Sequence, residues 1–148
     1  MASQWPLVHA RLVALVEGLD PAPDATYDGP PVTGDSPTTY ATVGYVYGED
    51  SAGEFTTDTT NSYQIAETGS VRGEFVATDG APDALSAVRA KAFALTDALE
   101  AAVRSDRTLG GVLSAQGTAT LRVDVVPSQT TSGAMQRLSF TLDYFTVT

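Results

Sequence analysis

The C-terminal half of the chain decides the fold, and it reads PDALSAVRAKAFALTDALEAAVRS at 82–105, TATLRVDVV at 118–126 and MQRLSFTLDYFTVT at 135–148. In the first stretch apolar residues recur every three or four positions, which predicts an amphipathic helix. Its apolar stripe consists of Leu85, Val88, Ala92, Leu95, Leu99 and Val103. The other two stretches alternate apolar and polar residues, which predicts two strands with one buried face each.

The first twenty residues predict another helix. Ser3 to Leu19 shows the same three- and four-residue spacing, with Ser3 as the N-cap and Gly18 followed by Pro21 at the end. Residues 21–37 are rich in Pro, Gly and Asp and predict a loop, with a short extended piece at 25–28.

Two further strands are predicted between the helices. Residues 38–47 are rich in Thr, Val and Tyr, and residues 62–78 form a long strand in which Gly69 and Gly73 indicate a bend or bulge. Between them, residues 48–61 are small, acidic and Thr-rich, so they predict a mobile connection or a projecting hairpin arm. A second polar tip is predicted at 127–134, between the last two strands.

This order of elements predicts one α+β domain covering residues 1–148. A largely antiparallel (mixed) β-sheet is expected, with two α-helices packed on one of its faces. The apolar stripes of the helices would then cover the apolar side of the strands.

The charge is strongly asymmetric. The net charge is −10, and residues 1–80 hold twelve acidic residues but only two arginines. An acidic surface favours solubility, and it also repels polyanions. Tight nucleic-acid binding is not expected, because it needs clustered Lys and Arg and the chain has a single lysine. We expect no signal peptide and no membrane span.

Residues suited to catalysis are scarce. The chain has no cysteine, which excludes a disulfide framework and thiolate chemistry. The single histidine, His9, lies on the first predicted helix and is expected to be structural and partly exposed, whereas the single lysine, Lys91, is expected to be a solvated position on the second helix. Glu67 and Glu74 fall on opposite faces of one strand, which argues against a catalytic pair. We therefore expect no enzyme, no cofactor and no metal site.

Five short motifs follow one another along nearly the whole chain. They are Trp5-Pro6-Leu7; Tyr27-Asp28-Gly29-Pro30-Pro31 with Val43-Gly44-Tyr45; Glu67-Thr68-Gly69-Ser70-Val71; Ala87-Val88-Arg89-Ala90 leading to Asp106-Arg107-Thr108-Leu109-Gly110-Gly111; and Ser139-Phe140-Thr141-Leu142-Asp143-Tyr144. In their order and spacing these motifs resemble the tail terminator (tail completion) proteins of long-tailed bacteriophages.

The resemblance implies a structural virion protein at the head–tail junction, assembled in the host cytoplasm. Such proteins form a hexameric ring that caps the tail tube, stops its polymerisation and offers a docking surface to the head connector. The implied partners are other copies of the chain, the tail tube protein and the head-closure or connector protein. DNA passes through the channel without specific binding. The alternatives are a tail tube or head-closure ring protein, or a small ligand-binding module that uses Tyr40, Tyr45 and Tyr47.

Strand edges and the two polar arms at 48–61 and 127–134 are the expected contact surfaces, because edge strands must be paired or covered. Deleting either arm is expected to leave a folded monomer that cannot cap tails. The candidate residues for the subunit or tube interface are Tyr45, Glu49, Asp50, Glu54, Asp58, Ser128, Gln129, Thr130 and Phe145. The candidate acidic residues facing the channel are Asp24, Asp28 and Asp35.

Overall fold

A computed structural model of the chain describes residues 3–32, 34, 37–61, 64–128 and 133–148, apart from the side chains of residues 60 and 61. Two helices and six strands form the fold. In chain order they are α1 (Trp5–Glu17), β1 (Ala25–Asp28), β2 (Thr39–Val43), β3 (Gly53–Asn61), β4 (Gln64–Asp79), α2 (Leu85–Ser105), β5 (Thr118–Val125) and β6 (Ala134–Val147). A single 3₁₀ turn, Pro82–Ala84, leads into α2.

The six strands form one mixed sheet around the long strand β4. One edge of β4 pairs with β6 along its whole length, and β5 lies beyond β6. On the other edge, β3 pairs with the first half of β4 and β2 with the second half. β1 adds to β2 in parallel, whereas all other pairs are antiparallel. The predicted α+β class with a largely antiparallel sheet is confirmed.

The core lies between the two helices and one face of the sheet. Val8, Leu12 and Val16 of α1 are buried there, and five of the six predicted stripe residues of α2 are buried, whereas Leu85 is half-buried. Most of them pack on sheet residues such as Phe75, and Val88 and Ala92 pack in a second cluster with Leu138. Burying each of these large side chains contributes about 1.5–3 kcal/mol. We call the covered face the helix side and the other the open face.

Of the bend or bulge predicted at Gly69 and Gly73, the bulge is wrong. The β4–β6 register runs unbroken from Ala66 to Asp79. The two glycines instead lie under aromatic rings: a Cβ at Gly69 would be 2.5 Å from the Tyr144 hydroxyl, and one at Gly73 would be 2.5 Å from the Phe140 ring. The irregularity is in β3, at the register shift between Thr59 and Asn61.

The strand predicted at 38–47 is shorter than expected. β2 ends at Val43, because Gly44 has a φ of +79° and directs the chain away from the sheet edge. The following segment, 48–61, contains β3, which forms a hairpin with β4. Of the two structures predicted for this segment, the hairpin is therefore the one that is found.

The N-cap predicted for α1 is also displaced by one residue. Gln4 is the N-cap, and Ser3 instead accepts a hydrogen bond from the backbone N–H of Trp5.

Candidate interaction surfaces

β3 is the most exposed strand of the sheet. Every side chain from Glu54 to Thr59 is exposed, on both faces. In the described ranges no strand pairs with its outer edge. Phe55 lies on the helix side and keeps 48% of its surface exposed. Two predicted interface residues, Glu54 and Asp58, lie on the open face of this strand. The sequence prediction omitted Phe55, although it is the only large apolar residue between 48 and 61.

The connection between β2 and β3 lies across the open face. The N–H of Gly44 donates to the carbonyl oxygen of Arg72 at 2.6 Å. The Arg72 guanidinium is 2.8 Å from the carboxylate of Glu49, a predicted interface residue. The carbonyl of Tyr45 accepts a hydrogen bond from the Thr42 hydroxyl at 2.8 Å. These contacts help to hold this segment, which we call the crossing segment (residues 44–52), against the sheet.

The crossing segment covers a buried ion pair. Glu74 is 1% exposed, and its Oε1 lies 2.8 Å from Nη1 of Arg137. Tyr47 donates its backbone N–H to Glu74, and its ring lies 4.6 Å from the Arg137 guanidinium carbon. Burial raises the pKa of the Glu74 carboxyl, and the Arg137 charge partly opposes that shift. Burial likewise raises the pKa of Tyr40, which hydrogen-bonds Arg137.

The predicted channel residues make contacts within the domain. Asp24 accepts hydrogen bonds from the Thr38 hydroxyl at 2.7 Å and from the Thr39 N–H at 3.3 Å. These two bonds hold the pKa of Asp24 below its usual value, with Thr38 the larger cause. Asp28 is 3.2 Å from Nε2 of His9. Asp24 immediately precedes β1 and Asp28 is its last residue, whereas Asp35 lies outside the described residues.

The remaining candidates lie apart from β3. Asp50 is exposed on the crossing segment. Ser128, at the β5–β6 tip, hydrogen-bonds Gln136 and accepts from Arg89 at 3.1 Å. Gln129 and Thr130 lie outside the described residues. Phe145 is half-buried on the open face, between Thr68 and Thr118 of the neighbouring strands.

A second buried carboxylate anchors α1. Glu67, on the helix side, accepts hydrogen bonds from the Ser3 hydroxyl at 2.8 Å, the Gln4 N–H at 3.0 Å and the Tyr144 hydroxyl at 2.6 Å. Three donors satisfy this carboxylate, which gives it a structural role. Glu67 and Glu74 lie on opposite faces, as predicted.

Trp5 and His9 connect α1 to the sheet. The indole Nε1–H of Trp5 donates to the Ser70 carbonyl at 2.8 Å, and its ring stacks on His9 with centroids 5.1 Å apart. His9 Nε2 also lies 3.3 Å from the carbonyl oxygen of Val43. These contacts give His9 a structural position. Lys91 is exposed on α2, beside an open depression of about 240 Å³ that Asp24 also lines.

Among the residues that the structure describes, no three His, Cys, Asp or Glu side chains come together in a way that could hold a metal ion. Neither described helix combines the length and apolar character needed to span a bilayer.

The chain matches no protein-family model, and no curated protein matches it.

Proposed function

We propose that this chain is the subunit of a ring that ends the tail tube of a long-tailed phage. The ring caps the tube, stops its polymerisation and offers a docking surface to the head connector, and DNA passes through its channel. One observation carries the proposal beyond the sequence resemblance: β3 is a nine-residue edge strand whose described side chains from 54 to 59 are exposed on both faces.

An edge of this kind is unfavourable for a protein that acts alone. Unpaired N–H and C=O groups recruit other strands, and monomeric proteins cover or shorten such edges. Here the edge is long and includes Phe55, which is about half exposed. A ring built from heterologous contacts covers one such edge on every copy.

The charge on and around β3 agrees with a channel for DNA. Glu54 and Asp58 lie on the open face of β3, and Glu49 and Asp50 are exposed on the crossing segment. The net charge of the chain is −10. Acidic groups near a channel repel phosphate, so moving DNA does not adhere to the wall.

The test uses purified full-length protein and tail tubes assembled from the tube protein of the same phage. Negative-stain microscopy is expected to show one ring at the tube end, and addition of the protein during assembly is expected to arrest growth. Tubes that keep growing, with no ring at their ends, would contradict the proposal. If the protein itself polymerises into long tubes, it is a tail tube subunit.

A further inference from the structure

Besides the short outer edge of β1, the sheet has two long edges that carry no further strand among the described residues. β3 forms one, with nine residues, and β5 forms the other, with eight. We propose that the β3 edge of one copy pairs antiparallel with the β5 edge of the next copy, which extends the sheet from subunit to subunit. This inference rests on the proposed self-association and identifies the two surfaces that form it.

The backbone groups on the two edges are compatible. Arg72 donates its N–H to Ala52, so the even-numbered residues of β3 point their N–H and C=O groups towards β4. Val126 donates to Arg137, so the even-numbered residues of β5 point towards β6. Because these groups alternate along a strand, the odd-numbered residues of both strands present theirs outward.

The side chains of those odd-numbered residues also share one side of the sheet. Phe55 lies opposite Gly69, and Val125 lies opposite Leu138, which packs on α2, so both are on the helix side. Directly opposed residues in a sheet must lie on the same face. If the outward-bonding residues of β3 and β5 had their side chains on different faces, hydrogen bonding would have placed the helix side of one copy next to the open face of the next.

The rotational symmetry of a ring also brings β3 and β5 of neighbouring copies together antiparallel, with their helix sides on the same side. A rotation about an axis roughly along the strands keeps both strand direction and the helix side unchanged from copy to copy. Within one copy β3 and β5 run in opposite directions, because the three steps β3–β4, β4–β6 and β6–β5 are all antiparallel. The β3 of one copy therefore meets the β5 of its neighbour antiparallel.

One register satisfies the side chains on both faces. When Phe55 lies opposite Val125, Asp58 lies opposite Arg122. Phe55 is 48% and Val125 60% exposed, so this pair would remove two exposed apolar groups from water. On the open face Asp58 would meet Arg122, which already binds Asp143 and would bridge the two carboxylates.

β1 limits where the neighbouring strand can lie. β1 occupies the position beside β2 through the pairs Ala25–Tyr40 to Asp28–Val43. The slot beside β3 is therefore closed beyond Gly53, where β2 ends at Val43 and β1 ends at Asp28, and it is open along Gly53 to Thr59. In the register above, residues 121–127 of the neighbour occupy this slot and do not overlap β1.

Disulfide trapping tests this pairing directly, since the wild-type chain has no cysteine. In this register Thr56 lies opposite Asp124, at a position without mutual hydrogen bonds, where cross-strand Cα atoms are about 4.5 Å apart. We expect mixed, mildly oxidised T56C and D124C proteins to form a disulfide heterodimer on non-reducing gels. The double variant is expected to form a ladder of covalent oligomers. Because the disulfide is covalent, the linked product accumulates even when the two copies meet only rarely.

The matched control is T120C, which is exposed on the same face of β5 and four residues from D124C. T120C mixed with T56C should give much less heterodimer than D124C does, and an equal yield would overturn the register. A T56C homodimer that forms as readily as the T56C–D124C heterodimer would show β3 pairing with itself and would overturn the heterologous arrangement. Absence of any T56C–D124C product would overturn the pairing, whereas tail capping by wild-type protein would still test the proposed function separately.

Discussion

The guanidinium of Arg137 lies 2.8 Å from the carboxylate of Glu74, on the sheet face that the helices leave open, and that carboxylate is almost completely buried. The crossing segment provides the cover, with Tyr47 against both partners. An ion pair with this burial is a structural element of the fold, and its loss should be measurable.

Replacing Glu74 by Ala should destabilise the protein by about 3–5 kcal/mol, because Arg137 would be left buried without its partner. The half-exposed pair Glu49–Arg72 is the matched control, and Glu49→Ala should cost less than about 1 kcal/mol. Urea denaturation measures both. Equal losses would show that burial of the Glu74 pair does not determine its contribution.

The stability of the protein should also depend on pH through Glu74. Its folded-state pKa is raised by burial, so the folded protein retains this proton where the unfolded chain has lost it. The resulting stabilisation is complete below the unfolded value of 4.5 and is lost as the pH rises through the raised folded value. Relative to Glu74→Gln, the wild-type protein should therefore gain stability as the pH falls from neutral towards 4.5. Urea titrations of both proteins at several pH values test the sign of this slope, and a slope of the opposite sign would refute it.

Gly73→Ala should destabilise the fold by about 1–3 kcal/mol, because the core has no room for a methyl group there. An added Cβ would be 2.3 Å from the Thr42 carbonyl oxygen and 2.5 Å from the Phe140 ring. Gly80→Ala is the control, since a Cβ there meets nothing within 4 Å, and it should change stability by less than about 1 kcal/mol. Thermal or urea unfolding separates the two, and a harmless Gly73→Ala would contradict the close approach.

Tyr144→Phe should cost about 1.5–3 kcal/mol, because it removes a buried hydrogen bond to the Glu67 carboxylate. Adding Glu67→Gln tests whether the two side chains act together. The double variant should lose less than the sum of the single losses, and strictly additive losses would show that the contact contributes nothing of its own.

Phe55→Ser should leave the stability of the monomer nearly unchanged, because about half of the Phe55 surface is already exposed. It should reduce self-association at least tenfold, because the proposed contact of Phe55 with Val125 of the next copy would be lost. Leu7→Ser is the control, since Leu7 is 55% exposed and lies on α1, not on either edge strand. Sedimentation measures both variants. Unchanged association of Phe55→Ser would exclude β3 as a contact surface.

Periodicity predicted the elements that bury one face. The stripes of α1 and α2 and the alternation in β5 and β6 are long and regular, so each identifies its element and its buried side. Local propensity failed where tertiary contacts decide the conformation. Tyr45 and Tyr47 favour a strand, yet Gly44 ends β2 and Tyr47 packs over Arg137.

The surfaces were harder to predict from the sequence. β3 buries neither face along 54–59, so it shows no apolar alternation and resembles a connection. Gly69 and Gly73 lie under rings that are more than 65 positions away in the chain, which no local pattern reveals. The roles of Glu67 and Glu74 likewise depend on residues that the fold brings from α1 and β6.

Trp5 is the only tryptophan in the chain, and its indole is bonded to Ser70, whose partner on β3 is Glu54. The near-ultraviolet emission of the unlabelled protein is therefore dominated by one fluorophore, at the seam where α1, β4 and the first residues of β3 meet. A Cβ at Gly53 would come within 3.1 Å of the indole nitrogen. Intrinsic fluorescence can thus follow both the docking of the first helix and the occupation of the neighbouring strand edge, without any attached dye.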